Sequence, residues 1–303
     1  MIRSKDNRKK IGYIITLAGG ACWGFSGCCG QFLFEHKGGT AEWLVALRLV
    51  FAGLILTSIG FLRDGKRNMR VFKNRGDTGR LLVFSFAGIA LSQYTYFAAI
   101  QHSNAGTATV LQYLFPIFIL AVLCIQEMRK PGRLEVFAIF LSLTGTFLLG
   151  THGDFTSLHM TPQALGYGLA AAAAAVLYNM LPGNMIQKYG LFQIVGFGML
   201  FSGLVFLGVI RPWRYEVIWD METAATLFGV IVIGTALGFG LYLRGVSLVG
   251  PLTGSLLASV EPVVAVILSA FWLHTSFIAI DLAGFAMILC TVMLLSLRPA
   301  RQK

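Results

Sequence analysis

The sequence predicts an all-α membrane protein whose ten transmembrane helices form two inverted five-helix repeats around a central cavity. Three observations predict it: a composition with few charges, ten apolar runs separated by short polar breaks, and an internal repeat offset by an odd number of helices. Of the 303 residues, 56% are hydrophobic and 12% charged, against about 25% charged in a soluble domain. The 24 Phe and 35 Gly suit a bilayer, where helices pack through small residues. About 20 apolar residues span a hydrocarbon core, so ten such helices use nearly the whole chain and leave no separate soluble domain.

The runs fall at approximately 11–34, 42–62, 80–101, 105–124, 134–150, 162–181, 191–210, 223–247, 252–272 and 277–297. The basic segment Met1 to Lys10 followed by an apolar run has the layout of a signal peptide. The run from Ile11 to Phe34 is too long for one, so it is read as the first membrane helix.

Lys and Arg set the orientation. With the N-terminus in the cytoplasm, 20 of the 24 basic residues fall on that side, including seven within 63–80. Only Lys37, Arg211 and Arg214 fall outside, and Arg48 lies within the second helix. Both termini are therefore expected in the cytoplasm, with residues 151–161, position 156 among them, outside. Trp43, Trp213, Trp219 and Trp272 sit at outer boundaries, as an aromatic belt requires. His36, His102, His152, His159 and His274 all lie in or beside outer loops, so no histidine relay is expected inside the membrane.

The net charge of +11 sits at the chain ends and in loops. That distribution serves topology and anionic lipid rather than nucleic acid. Cys22, Cys28, Cys29, Cys124 and Cys290 lie in apolar segments without metal-ligand or disulfide spacing, and read as packing residues. No metal site and no cofactor is expected. Phosphate-binding and dinucleotide fingerprints are absent, which excludes an ATP-driven pump within this chain.

The repeat appears on sliding the sequence by 146 residues, when Gly88 to Ile117 overlays Gly234 to Val263 without a gap. Seven of the 30 positions are identical, among them Tyr96/Tyr242 and Pro116/Pro262. The third and fourth helices thus correspond to the eighth and ninth. An odd offset inverts one half relative to the other, the architecture of secondary transporters that bind solute near the midplane. Such symmetry argues for a carrier over a membrane-embedded lipid-modifying enzyme, a sensor or a channel.

Several segments carry a family resemblance. They are ALRLVFAGLIL (46–56) with its embedded Arg48, YFAAIQHSNAGTATVLQYLFPIF (96–118), LASVEPVVAVILSAFWL (257–273), and Glu127 followed by LSLTGTFLLG (141–150). Together and in order they resemble the drug/metabolite transporter superfamily, of the EamA type, over essentially the whole chain. The chain departs from that pattern at Trp272-Leu273-His274, where a Glu is usual, and at Ala138, where Gly is usual. The resemblance implies two repeats, 1–150 and 151–303, in a cell (inner) membrane. It also implies secondary transport of a small organic solute, such as an amino acid, metabolite or drug-like compound, often export. The expected partners are that solute, the lipid bilayer and protons as coupling ion, for a chain that is a monomer or homodimer.

Candidate site residues are the polar and aromatic side chains placed near mid-membrane. Glu261, beside Pro262 in the ninth helix, is the one carboxylate expected near the bilayer centre. An ionisable group there is functional by default, so it is the candidate for proton coupling, with bracing of the proline-interrupted helix as the structural alternative. Trp23, Gln93, Tyr96, Gln112, Tyr113, Tyr178, Asn179, Tyr242 and Ser259 are the expected cavity lining, suited to a mixed amphipathic site; interhelical hydrogen bonding is their structural alternative. Arg48 reads as a structural cation that snorkels or holds a helix terminus, and Arg244 as a topology signal. The absence of a basic cluster at the midplane favours a neutral, zwitterionic or aromatic metabolite.

Overall fold

A computed structural model describes residues 2–152, 154 and 160–296. Every regular element among the described residues is helical. The first helix, Ile2–His36, begins well before its apolar run. Ala41–Asp64, Arg133–Thr151, Pro162–Met180 and Leu191–Ile210 follow the expected runs closely. His159 and position 156 lie outside the described residues.

Seven described helices are long and apolar enough to cross a membrane. The pair Pro162–Met180 and Gly183–Tyr189, bent by 42° at its break, makes an eighth span if counted as one. The remaining apolar helices, Val260–Phe271 and Ala279–Leu295, are shorter. The expected ten full-length spans are therefore not all present as continuous helices, and proline explains one shortfall. Pro262 has no amide hydrogen and its ring crowds the carbonyl four residues earlier. The ninth run accordingly splits into Pro251–Ala258 and Val260–Phe271 around Ser259.

The same break occurs in the other half. Pro116 divides the fourth run into Ala105–Gln112 and Phe115–Gln126. Tyr113 at that joint has φ −69° and ψ 5°, and Ser259, 146 residues later, has φ −64° and ψ 0°. A second irregularity recurs too: the backbone widens to a π-helix at Phe84–Ala90 and again at Gly229–Leu237. Sequence identities here were few, yet the backbone repeats its defects at the same offset.

Large apolar side chains such as Phe51, Leu62, Phe140, Leu143 and Val209 are exposed, as expected of surfaces facing lipid rather than water. Inside, glycines set close approaches. A Cβ on Gly24 would lie 2.6 Å from the Glu261 carbonyl oxygen, and one on Gly203 would lie 2.7 Å from the Val50 amide nitrogen. The first helix is thereby pressed against the proline-interrupted helix, and the second against Leu191–Ile210. Trp43 departs from the aromatic-belt expectation. It is 1% exposed and packs edge-on against Trp219, which is itself exposed. Cys28 and Cys29 are fully buried, as packing residues should be, whereas Cys290 faces outward.

Candidate functional site: a central cavity with a broken-helix wall

One cavity of about 1890 Å³ runs into the helical bundle, and every expected lining residue borders it. The two helix breaks bring four residues of the wall there. A continuous helix would hide its backbone; the joints at Tyr113 and Ser259 instead expose backbone and adjacent side chains at mid-bundle. Gln112 and Tyr113 come from the first joint, and Ser259 and Glu261 from the second.

These joints touch. The Tyr113 hydroxyl donates toward Glu261 Oε2 at 2.9 Å and toward the Ala258 carbonyl at 3.1 Å. Ala258 is four residues before Pro262, so its carbonyl is the one the proline deprives of an intrahelical donor. The tyrosine of one repeat therefore satisfies the backbone group freed in the other. Glu261 is partly buried. With one hydroxyl proton and two acceptors, the arrangement accommodates either protonation state of the carboxyl. A charged Glu261 takes the Tyr113 proton. A protonated one donates to the Tyr113 oxygen and frees the tyrosine proton for Ala258.

The remaining residues form the walls. The Tyr96 hydroxyl pairs with Thr109 Oγ1 at 2.9 Å, which in turn donates to the Ala105 carbonyl at 2.6 Å. Trp23 stands against Phe239 and Tyr242, with ring centroids 5.3 and 5.1 Å apart. Tyr178 stacks on Phe84 at the π-helical segment. Asn179 is exposed nearer the mouth and donates to the Ala175 carbonyl at 2.7 Å. Gln93 Oε1 and Ser259 Oγ are buried without a hydrogen-bond partner. Such orphaned polar atoms are costly and mark places where a solute or water belongs.

Arg48 was missed as a cavity residue. It borders the cavity, is 6% exposed, and sits over the Phe97 ring at 5.2 Å. Its Nε is buried and unpartnered, so it neither snorkels nor caps a helix. The signal was present, since an ionisable residue within a membrane helix is a functional candidate by default; its likeness to a family pattern steered the reading to structure. Arg244, by contrast, is exposed within Gly238–Val249 and does not border the cavity.

The cavity opens at the end that carries Glu127, Arg129, Lys130, Gly132 and Ile186. At the mouth Arg129 is clamped by Glu127 at 2.8 Å and Glu135 at 2.8 and 3.1 Å. Those carboxylates, Glu135 foremost, raise the guanidinium's already high pKa. The opposite end is sealed. Gln31, 2% exposed, donates to Glu35 and Thr275 and accepts from the Ala105 amide and the Ser269 hydroxyl. One side chain thus ties three helical segments. Above it Lys37 reaches both Asp220 and Glu222 at 2.6 Å. The Lys37 hydrogen bond, helped by the Thr223 amide, pulls the Asp220 carboxyl down to about 2. Among the described residues no cluster of three metal-ligating side chains occurs.

Residues 10–151 and 163–297 each match the EamA-like transporter family. The chain belongs to that family. A protein of Salmonella typhimurium named uncharacterized inner membrane transporter YicL is 39% identical over 96% of this chain and 97% of its own length. The threonine/homoserine exporter RhtA of Escherichia coli is 26% identical over 84% of this chain and 81% of its own. A solved crystal structure aligns with a TM-score of 0.58 and 16% identity, covering 95% of this chain and 96% of its own, a likeness of fold. As an EamA-like transporter the chain is a multi-pass membrane protein, and the double match agrees with the repeated joints and π-helices.

Proposed function

We propose that this protein is a secondary active transporter that exports a small organic metabolite across the inner membrane by alternating access. The observation that carries this reading is the cavity, walled by both repeats, open at one end and closed at the other by the Gln31 network. A carrier requires such one-sided access, whereas a channel requires a continuous path. In this reading ten membrane segments form two inverted halves, 1–150 and 151–303. The short and broken helices count as segments, because irregular backbone is tolerated at membrane depth where it lines a cavity. Both termini lie in the cytoplasm by the Lys/Arg distribution, so the open mouth faces inward. Trp23, Gln93, Tyr96, Gln112, Tyr113, Tyr178, Asn179, Tyr242 and Ser259 contact the solute, and Glu261 takes up and releases the coupling proton. No cofactor takes part.

RhtA, named for export of threonine and homoserine, makes amino acids the first solutes to test. The experiment is counterflow: purified protein in vesicles preloaded with an unlabelled metabolite takes up the labelled form transiently above equilibrium. A carrier produces that overshoot, a channel does not, and an enzyme converts the solute. Absence of overshoot with every member of a broad metabolite panel would refute transport by exchange.

A further inference from the structure

Arg48 is the least explained charge in the molecule. It lies within Ala41–Asp64, 6% exposed, and borders the central cavity. Among the described residues no carboxylate lies within ion-pair distance of it; Glu261 acts on it only through space, and its Nε has no hydrogen-bond partner. The Phe97 ring centroid lies 5.2 Å from the guanidinium carbon, a cation–π contact that supplies no hydrogen-bond acceptor of the carboxylate kind. A buried charge without a partner is strongly unfavourable, since desolvation is not repaid. Bundles keep such groups when a ligand supplies the missing partner. Phe97 is fully buried, so the guanidinium stands on a rigid base.

We infer that Arg48 is the docking point for a carboxylate of the transported solute, received by the planar guanidinium on its Phe97 support. The inference rests on the transport reading above and names the substrate class for that site. A guanidinium matches a carboxylate with two parallel N–H···O bonds, a geometry that an ammonium lacks. The charge balance selects a single carboxylate over a phosphate. Among the described residues Arg48 is the only arginine or lysine lining the deep part of the cavity; Arg129 is already held by two glutamates at the mouth, beside Lys130. Glu261 shares the cavity and repels a second negative charge. Gln93 Oε1 and Ser259 Oγ, the other orphaned atoms of residues that line the cavity, are left for polar groups elsewhere on the solute.

The test uses purified full-length protein in detergent and thermal stabilisation by matched probes: the common α-amino acids and short monocarboxylic acids, each beside its uncharged amide. Wild-type protein is expected to be stabilised by at least one carboxylate at concentrations at which its amide has no effect. Arg48→Gln should weaken that carboxylate roughly 10- to 100-fold, the worth of a charge-assisted bidentate pair, and leave the amide unchanged. Arg48→Met is the second variant; it removes an uncompensated buried cation and keeps an apolar stem, so folding is favoured. Equal binding of carboxylate and amide by the wild type, no stabilisation by any carboxylate probe, or an undiminished carboxylate preference in both variants would overturn the inference. Counterflow of a neutral or cationic solute would then leave the transport reading standing, whereas failure of counterflow with every solute would remove that reading instead.

Discussion

The contact between the two helix joints makes Tyr113→Phe a test of the cavity's internal logic. The substitution keeps the ring and removes one oxygen. That oxygen donates toward Glu261 at 2.9 Å and Ala258 at 3.1 Å, in a residue 8% exposed. The Ala258 carbonyl has no helical donor because Pro262 stands where the amide would be. Its loss of the hydroxyl leaves an acceptor with no protein partner, which costs about 1–3 kcal/mol in a buried site. Hydrogen bonds measured within membrane proteins average nearer ~0.6 kcal/mol, with a maximum of about 1.7. An expected loss of about 1–2 kcal/mol follows. The matched control is Ser259→Ala at the same place in the other repeat. The Ser259 hydroxyl is buried but bonds to nothing, so its removal should change stability by less than about 0.5 kcal/mol. Reversible unfolding in mixed micelles with increasing SDS measures both. A Tyr113→Phe variant within about 0.3 kcal/mol of wild type, or a Ser259→Ala variant as damaged as Tyr113→Phe, would refute the account of Ala258 as a carbonyl dependent on Tyr113.

Three other outcomes are expected. Gly24→Ala drives a Cβ to 2.6 Å from the Glu261 carbonyl and 3.0 Å from the Ala265 amide nitrogen; backbone cannot yield as a side chain does, so about 1–3 kcal/mol of stability should be lost. Gly240→Ala, with nothing within 4 Å, should be neutral or gain up to ~1 kcal/mol, and SDS unfolding of the pair tests both. At the sealed end, Asp220 has a depressed pKa of about 2. Its stabilising effect is therefore complete above the unfolded value of about 3.9 and fades as pH falls through the folded value. The melting difference between wild type and Asp220→Asn should be constant from pH 8 to 5 and shrink below about pH 4; a difference that changes between pH 8 and 5 would contradict the assignment. Glu261→Gln should still exchange solute in counterflow yet lose accumulation driven by a pH gradient, and unchanged pH-driven accumulation would show that another group carries the proton.

Much of this architecture is legible in the sequence because bilayer physics is demanding. Apolar run length, basic loops and a 146-residue repeat located the helices, and even the cavity lining followed from asking which polar groups lie at mid-depth. Hydropathy could not reveal where runs break. Pro116 and Pro262 were visible, but a proline in a membrane helix can kink, break or merely bend it. The π-helices at Phe84–Ala90 and Gly229–Leu237 carry no compositional mark at all. Trp43 was assigned to the interface by depth; whether a side chain at that depth faces lipid or protein depends on rotation about the helix axis, which the nearly uniform apolarity of Ala41–Asp64 conceals. The place of Arg48 at the cavity was hidden for a related reason. Depth alone marks a charge as costly, and only the packed structure shows whether a partner meets that cost.

The two repeats share their skeleton and differ in their chemistry, and the difference has a direction. At the joints Tyr113 answers Ser259, Gln112 answers Ala258, and Phe115 answers Glu261 at the residue before each proline. In the preceding helices Tyr96 and Tyr242 agree, while Gln93 answers Phe239. The proline and the joint persist in both halves, and each places an interrupted helix at the cavity wall. The side chains need not persist, and a strictly symmetric lining would in fact work against a carrier of an asymmetric solute. Duplicating Glu261 at Phe115 would place two carboxylates in one cavity, and like charges cannot both ionise cheaply at short range. Duplicating Tyr113 at Ser259 would remove an orphaned hydroxyl available to a ligand. One carboxylate, one guanidinium and one bridging tyrosine, distributed across symmetric breaks, leave the cavity polar at defined points and aromatic between them. Transport by rocking of two similar halves needs the symmetry of the backbone; recognition of a solute with two different ends needs its loss in the side chains.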